Sequence, residues 1–293
     1  MKPPDLRRCL KLGVSLAYFA MRSAFRCVLR FVGRPAKQKL TILCYHGVTP
    51  EGRARFARQM EALCRTACIV PATYHGVLRS RKTHVAITFD DALTSARDNA
   101  MPELSARSIH STIFVPTSFL GRRPSWAAKD NERISEDFVM TVEQLKDLPA
   151  NLVTFGSHGL THVPLTQTQR ETAWDEIENS RRELERLMGC EIKLFAFPYG
   201  DHDRSTTELC KMAGYEQAFT MLPDPVKTES IEMLRGRVRV DPGDWLIEFF
   251  LKVGGAYAWM TWWMKFKHSV LRSHQPGGLQ CRGGAPPRRT LSN

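Results

Sequence analysis

Three short polar clusters lie in the middle of the chain. They are Asp90 with Asp91, His158 with His162, and Tyr199 inside a Pro-Tyr-Gly tripeptide. One carboxylate and two imidazoles form a ligand set for a divalent metal, and a second carboxylate beside them can take a proton from a bound water. The clusters therefore outline metal-assisted hydrolysis of an amide.

The two acids follow an apolar run, His84 to Phe89, which predicts a buried strand with charge at its C-terminal end. Active sites of α/β folds collect at that end. Adjacent side chains on an extended chain point to opposite sides, so Asp90 and Asp91 are expected to have different tasks. A turn or a helix N-cap, where Asp is also favoured, is the alternative interpretation of this pair taken alone.

The two histidines follow a second apolar run, Leu152 to Phe155. Residues four apart share one face of a helical turn, so the rings of His158 and His162 could reach a single ion. No glutamate of an H-E-x-x-H motif lies between them, which excludes the zincin arrangement, and two surface histidines are the alternative. A third apolar run, Leu194 to Phe197, ends at a turn around Tyr199 whose backbone N–H groups could form an oxyanion hole or simply reverse the chain.

Short apolar runs alternate with longer segments typical of helices through the central part of the chain. This alternation predicts parallel strands joined by crossover helices. At 293 residues and 43% hydrophobic content, the chain can bury one sizeable core. The predicted strands are residues 40–44, 85–89, 111–115, 152–155, 193–197, 217–220 and 237–240, and the predicted helices are residues 53–66, 101–107, 142–147, 169–188, 206–212 and 246–253.

Taken together, these motifs resemble those of the polysaccharide deacetylase family, the NodB-homology domain of carbohydrate esterase family four. Thr88 to Ala92 resembles the family motif T-F-D-D-G with alanine in the last place. His158 to His162 resembles H-[ST]-x-x-H, with Gly159 in the Ser/Thr place. The resemblance extends from about residue 40 to residue 245, and it implies an α/β fold, a distorted and incomplete TIM-like (β/α) barrel.

The resemblance also implies roles for individual residues. Asp91, His158 and His162 would be the metal ligands, with zinc as the expected ion and cobalt or another divalent ion as alternatives. Asp90 would be the general base, and Tyr199 would offer its backbone N–H to the oxyanion. The implied enzyme is a hydrolase of carbon–nitrogen bonds that removes N-acetyl groups from an amino sugar in a polysaccharide, an oligosaccharide or a lipid-linked glycan and releases acetate.

The chain departs from the family pattern in several places. Ala196 stands where many relatives carry an arginine that orients the base; Arg237 could supply that charge from a neighbouring strand, and an exposed arginine on an alternating strand is the alternative. Residues 241–245 resemble the D-x-x-D-W element that helps to position a catalytic histidine, but the L-x-H motif that should follow is not evident. His268 is the nearest candidate for this histidine and for the leaving-group acid. His46 is interpreted as a buried histidine bonded to backbone or as part of the site floor.

Charge divides the chain into three parts. Residues 1–39 carry a net +9 and residues 265–293 a net +6, so the total of +12 leaves −3 for residues 40–264, the predicted catalytic domain. Because nucleic-acid readers carry positive charge on the folded surface, nucleic acid is not the expected main partner. An N-acetylated carbohydrate is the expected one, while the basic ends could meet anionic lipid. Gly, Pro and Arg are frequent in residues 265–293, which predicts disorder there.

The first part, residues 1–39, is an apolar and basic segment. Its longest uncharged run, Leu12 to Met21, is short for a bilayer span, so the segment is interpreted as a basic amphipathic helix on a membrane surface or as a helix packed on the barrel. No A-x-A cleavage site is clear, which argues against export without excluding it. Eight scattered cysteines favour reduced thiols, and we expect a cytoplasmic protein that could associate with a membrane.

Two other functions fit the same residues. One is a carbohydrate-binding protein that kept the fold and has no activity. The missing L-x-H motif raises this possibility. The other is a related hydrolase of a non-sugar amide or a cyclic imide. A free carboxylate beside a metal triad argues against the first, because binding alone does not need it. Trp259, Trp262 and Trp263 could stack on a sugar or lie at a membrane interface, or they could pack a terminal helix onto the barrel.

Overall fold

Parallel strands curve into an almost closed barrel surrounded by helices in the computed structural model, which describes residues 6–34, 38–78, 82–126, 136–229 and 232–263. The predicted incomplete TIM-like (β/α) barrel is thereby confirmed. His268 and the predicted tail, residues 265–293, lie outside the described residues. The strands are β1 (Leu40–Tyr45), β2 (Ala67–Ile69), β3 (Thr83–Phe89), β4 (Ser111–Val115), β5 (Val153–Ser157), β6 (Leu194–Ala196), β7 (Gln217–Thr220), β8 (Leu234–Gly236) and β9 (Val238–Arg239).

The strands form one sheet in the order β8-β7-β6-β5-β4-β3-β1-β9, with β2 paired to β3, and all of these pairings are parallel. Each predicted strand has a counterpart within a few residues of its predicted ends. The strands β2 and β8 were not predicted, because three residues are too few to show a hydrophobic period. The sheet thus follows the chain order, as crossover connections require.

One segment joins the two edges of the sheet. Residues 234–236 pair with β7, and residues 238–239, directly after them, pair with β1. Arg237 lies between the two pairings, and its side chain is fully buried. The last strand segment therefore nearly closes the barrel, and Arg237 is the residue at which its pairing changes from one edge to the other.

The helices pack outside the barrel, and their ends carry recognisable caps. The side chain of Thr49 accepts a hydrogen bond from the backbone of Gly52 at the start of the second helix, and Thr141 with Gln144 forms a capping box at the fourth. Gly189 ends the fifth helix in a left-handed conformation. The helices are α1 (Leu6–Phe31), α2 (Pro50–Thr66), α3 (Met101–Ser105), α4 (Val142–Lys146), α5 (Arg170–Met188), α6 (Arg204–Met212) and α7 (Leu246–Val253).

Two apolar clusters hold these layers together. The larger cluster includes Ile87 and Phe89 of β3 with Ile177 of α5, and it fills the space between the sheet and the helices. The smaller cluster includes Phe114 and Phe219, which point into the barrel from β4 and β7. Burying each such side chain stabilises the fold by about 1.5–3 kcal/mol relative to leaving it exposed. The two apolar clusters therefore supply most of the stabilisation.

Helix α1 packs on α7 and on the residues that follow it. Arg8 donates to Glu248 Oε2 at 2.6 Å, Arg22 donates to Gly255 O at 2.9 Å, and Trp259 Nε1 donates to Ser15 Oγ at 2.9 Å. Helix α1 (Leu6–Phe31) is longer than its uncharged run, Leu12 to Met21, indicates. Among the described residues it is the one helix that could cross a bilayer by length and composition, a test that signal sequences also pass.

The closing segment leaves no room for a side chain at Gly236. A Cβ there would lie 2.5 Å from Leu222 O and 2.6 Å from Asp224 O, which are backbone atoms that cannot rotate away. We expect Gly236→Ala to lower the free energy of unfolding by about 1–3 kcal/mol. Gly13→Ala, in an open part of α1, is the matched control and should be neutral or stabilising by up to about 1 kcal/mol. Urea unfolding curves measure both, and equal midpoints would contradict the prediction.

Candidate active site

The predicted site residues meet at the C-terminal edge of the barrel. Asp90 and Asp91 follow β3, His158 follows β5, and Tyr199 lies in the turn after β6. Parallel strands end at the same edge of a sheet, so residues far apart in sequence come together there. Arg237 reaches the same place from the closing segment. The structure thus brings together the predicted site residues that it describes.

Asp91, His158 and His162 form a compact cluster. One possible ligand atom from each lies within 4.8 Å of the others. Asp91 Oδ1 is 3.4 Å from His162 Nε2 and 3.8 Å from His158 Nε2, and all three side chains are buried. A carboxylate and two imidazoles leave positions open on a tetrahedral ion for water and substrate, as in catalytic zinc sites.

The cluster fits a divalent metal on chemical grounds. Asp91 Oδ1 is buried without a hydrogen-bond donor among the described residues, and a buried acceptor of this kind is costly unless a cation or a donor meets it. Burial lowers the pKa of both His158 and His162, the latter to about 2, so both rings are neutral at pH 7. Neutral imidazole is the form that binds metal.

The two histidines are held in different ways. His158 Nδ1 bonds Ala196 O at 2.7 Å, which leaves Nε2 for the cluster. The ring of His162 stacks on Trp126, with centroids 4.0 Å apart and planes 12° apart. The segment between the histidines is irregular, and His162 has a positive φ of 60°. The predicted helical turn is therefore wrong, because a loop rather than a helix presents the pair.

A buried glutamate on α5 fixes this loop. The carboxylate of Glu176 accepts the backbone N–H groups of Leu160 and Thr161, each at 2.9 Å, and it also accepts the Thr161 hydroxyl. Gly159 N donates to Ser157 Oγ at 3.1 Å. These bonds satisfy backbone groups that a helix would have satisfied by itself.

Asp90 does not belong to the Asp91, His158 and His162 cluster, because its carboxylate is bonded to other side chains. Its two carboxylate oxygens accept from Arg237 Nη1 at 2.5 Å and Nη2 at 2.8 Å, and the thiol of Cys44 lies 3.2 Å from Oδ2. His158 Nε2 is 3.9 Å from the same Oδ2. A bidentate pair of this kind fixes both position and ionisation of the carboxylate. Arg237 is therefore not the exposed arginine of the alternative interpretation.

The two adjacent acids have opposite pKa shifts. Burial acts to raise the pKa of Asp90, but the guanidinium of Arg237 outweighs it and holds the pKa well below its usual range. Burial and the charge of Asp90 raise the pKa of Asp91 to about 7. Asp90 is thus ionised at pH 7, and Asp91 gains most from a cation. The expectation that the two acids differ in task agrees with this electrostatic contrast.

Backbone strain is concentrated at the site. Four of the five described non-glycine residues with positive φ are Asp91, Ala92, His162 and Tyr199. Such conformations cost about 1–3 kcal/mol each and persist at functional sites. The φ of Ala92, 47°, is a conformation that favours glycine, which gives a reason for glycine in the family motif. The Ala92 methyl is fully buried in the larger core cluster.

Several site residues were missed or underrated by sequence reasoning. Trp126 and Glu176 lie on segments with no motif, and Cys44 is one apolar residue in a strand. His46 follows β1, close enough to Asp90 and His158 for their charges to affect its pKa, which burial lowers to about 4. The signal for His46 was its place after an apolar strand.

The fold and the cluster define a (β/α) barrel with a candidate metal site at the C-terminal ends of its strands. The sequence profile described as Polysaccharide deacetylase matches residues 78–218, so this part of the chain is similar to that family. Members of the family are hydrolases that act on amide bonds, and they are generally metal-dependent.

Known proteins agree with this assignment. YxkH of Bacillus subtilis (strain 168), classed with the polysaccharide deacetylases, is 23% identical over 159 residues, 54% of this chain and 52% of YxkH. The match thus spans about half the length of that relative. IcaB from Ammonifex degensii is similar in structure, with a TM-score of 0.63 and 24% identity over 75% of this chain and 98% of that chain. The deacetylase PplD of Streptococcus pyogenes, solved with acetate, has a TM-score of 0.60 and 18% identity over 74% of this chain and 99% of its own.

The raised pKa of Asp91 predicts how stability depends on pH. The folded chain binds this proton more tightly than the unfolded chain, so the metal-free protein loses stability as pH rises from about 4 to 7. We expect Asp91→Asn to raise the free energy of unfolding of metal-free protein by about 1–3 kcal/mol near pH 8 and by less at lower pH. Thermal unfolding of both proteins in the presence of a chelator, near pH 8 and at lower pH, measures this difference in stability. The exposed Asp98→Asn is the control, and an Asp91→Asn effect independent of pH would contradict the prediction.

Proposed function

We propose that this chain is a metal-dependent hydrolase that removes N-acetyl groups from an N-acetylated amino sugar in a polysaccharide, an oligosaccharide or a lipid-linked glycan and releases acetate. The observation that carries the proposal is a buried Asp-His-His cluster beside a second carboxylate that an arginine keeps ionised. The match of residues 78–218 to the polysaccharide deacetylase family supports the amide bond as the target and an N-acetylated carbohydrate as the substrate class.

Asp91, His158 and His162 would hold the metal, most favourably zinc, with cobalt or another divalent ion as alternatives. When bound, such an ion polarises a carbonyl and lowers the pKa of a water. Trp126 and the Ala196 carbonyl keep the two rings in place, while Asp91 lacks a competing donor on Oδ1 among the described residues.

Asp90 would be the general base. Its carboxylate is ionised, buried and next to the cluster without belonging to it. Arg237 would hold the carboxylate in one orientation through two hydrogen bonds, taking the place of the arginine that is absent at Ala196. Asp90 would take a proton from the attacking water and could return it to the departing amine, which needs one.

Tyr199 would stabilise the oxyanion. It occupies a left-handed turn, and its ring lies 4.7 Å from the ring of His162. We propose that the backbone N–H of Tyr199 serves the tetrahedral oxygen, for which a rigid turn pays no reorganisation cost during reaction. The half-exposed ring could also form one wall for a sugar.

The binding-protein alternative explains fewer of these features. A site that only binds sugar has no use for a buried carboxylate whose ionisation is enforced by Arg237. The same geometry would serve a hydrolase of a non-sugar amide or a cyclic imide. Only the identity of the substrate distinguishes that alternative from the proposed deacetylase. Acetate release from acetylated sugars therefore separates the proposed deacetylase from both alternatives.

The proposal is tested by acetate release from N-acetylglucosamine oligomers and lipid-linked acetamido sugars. We expect the protein stripped of metal to be inactive and zinc or cobalt to restore activity. Asp90→Asn should keep the metal and lose about 10²–10⁴-fold in turnover, because the base is removed and the ligands are not. Acetate is measured enzymatically and metal content by elemental analysis.

Asp98→Asn, a change of the same kind at an exposed position, is the control and should leave turnover unchanged. Metal binding without acetate from any substrate would contradict the proposed deacetylase and favour the other two functions. Undiminished turnover in Asp90→Asn would exclude its role as the base.

A second test addresses Arg237. Arg237→Lys keeps the positive charge but cannot reproduce two parallel hydrogen bonds to Asp90. We expect kcat to fall about 10–100-fold with metal content unchanged, because a slightly misplaced base is a poor base. Arg97→Lys, at an exposed ion pair, is the matched control. Equal kcat in Arg237→Lys and the unmodified protein would show that the base does not depend on this pair.

A further inference from the structure

Helix α1 turns its apolar side away from the protein. Leu10, Met21, Phe25 and Val28 are 59–69% exposed. They lie along one side of the helix, since their successive spacings of eleven, four and three residues are close to whole helical turns. A surface helix of a soluble protein normally buries such a stripe. The outward stripe, defined by these four residues, is therefore unexplained by the folding of the domain.

The opposite side of α1 attaches the helix to the domain through polar groups. Arg8 bonds Glu248 and lies over the ring of Trp245, Ser15 is fully buried against Trp259, and Arg22 bonds the carbonyl of Gly255. These contacts are spread over about four turns of the helix. They orient the helix and so fix the outward direction of the stripe.

The apolar surface continues beyond α1. Leu246, Ile247 and Phe250 of α7, the helix on which α1 packs, are 40–57% exposed. Trp262 and Trp263, shortly after α7, are 71% and 55% exposed. Exposed apolar patches larger than those of ordinary monomers mark interaction sites. Tryptophan is also the side chain enriched where a membrane meets water.

The positive charge of α1 indicates which kind of partner binds this surface. Helix α1 holds six Lys or Arg residues and no acid, and residues 1–39 carry a net +9. A second copy would bring an equally basic helix and be repelled, whereas an anionic lipid surface would be attracted. The tail, residues 265–293, is rich in Gly, Pro and Arg and has few large apolar residues with which to cover the stripe.

We infer that the outward stripe of α1, together with the exposed side chains of α7, lies on an anionic lipid bilayer, with the helix parallel to the membrane plane. A helix crossing the bilayer would have to give up the bonds from Arg8 to Glu248 and from Arg22 to Gly255 and carry these cations toward the hydrocarbon. A helix lying flat keeps them. Lys11, which is exposed and adjacent to Leu10 of the stripe, can then reach lipid phosphates.

The test is flotation of the full chain with vesicles of phosphatidylcholine containing about one quarter phosphatidylglycerol. We expect Met21→Gln/Phe25→Gln to weaken binding by at least about tenfold, because two large apolar side chains leave the lipid. Leu16→Gln/Cys27→Gln, on the flank of the same exposed helix, is the matched control and should lose much less. Lys11→Gln should weaken binding to these vesicles and not to pure phosphatidylcholine.

Alkaline carbonate should release the protein from the vesicles, because a helix on the surface has no span to retain it. Retention would overturn the flat orientation in favour of a spanning helix. A dimer in lipid-free solution that Met21→Gln/Phe25→Gln converts to monomer, without vesicle binding by the unmodified chain, would overturn the inference in favour of a second copy. Equal binding by the stripe and flank variants would overturn it as well.

Discussion

The buried ion pair between Arg237 and Asp90 connects the fold of this barrel to its chemistry. Arg237 lies where the last strand segment changes from pairing with β7 to pairing with β1, so its side chain enters the barrel at the closure. Its guanidinium is also 5.1 Å from the ring of Phe114 and 5.8 Å from that of Phe219. A buried guanidinium without a carboxylate costs several kcal/mol, so closure of the barrel and ionisation of Asp90 depend on each other.

This pair also separates the two adjacent acids. Asp90 faces a cation that the fold supplies, while Asp91 faces two neutral imidazoles and the negative charge of Asp90. Neighbouring titratable groups whose pKa values are pushed apart are typical of acid–base sites. The positive φ at Asp91 contributes, because the chain turns sharply between the two side chains. Metal ligation and proton transfer can then be assigned to neighbouring residues without conflict.

Helix α1 begins near the end of the molecule that carries the candidate active site. Arg8, near the start of α1, packs on Trp245 and Glu248 at the start of α7. That part of the chain follows Val240, whose N–H bonds Cys44 O near the C-terminal end of β1. Farther along α1, Arg22 bonds Gly255, which lies against Pro225 near the bridge between Val226 and Leu40 at the start of β1. The proposed membrane surface therefore runs along the side of the barrel, from the site end toward the opposite end.

The sequence by itself predicted the barrel, which the structure confirms, and the proposed metal ligands and base, because each rests on a short motif or on the alternation of apolar runs with helical segments. Strands β2 and β8 and the loop between the histidines escaped prediction, since short or irregular segments show little hydrophobic period. Only the tertiary structure decided that Arg237 faces Asp90, that Trp126 covers His162 and that α1 turns its stripe outward. These are contacts between residues far apart in the chain, and packing, not local pattern, selects them.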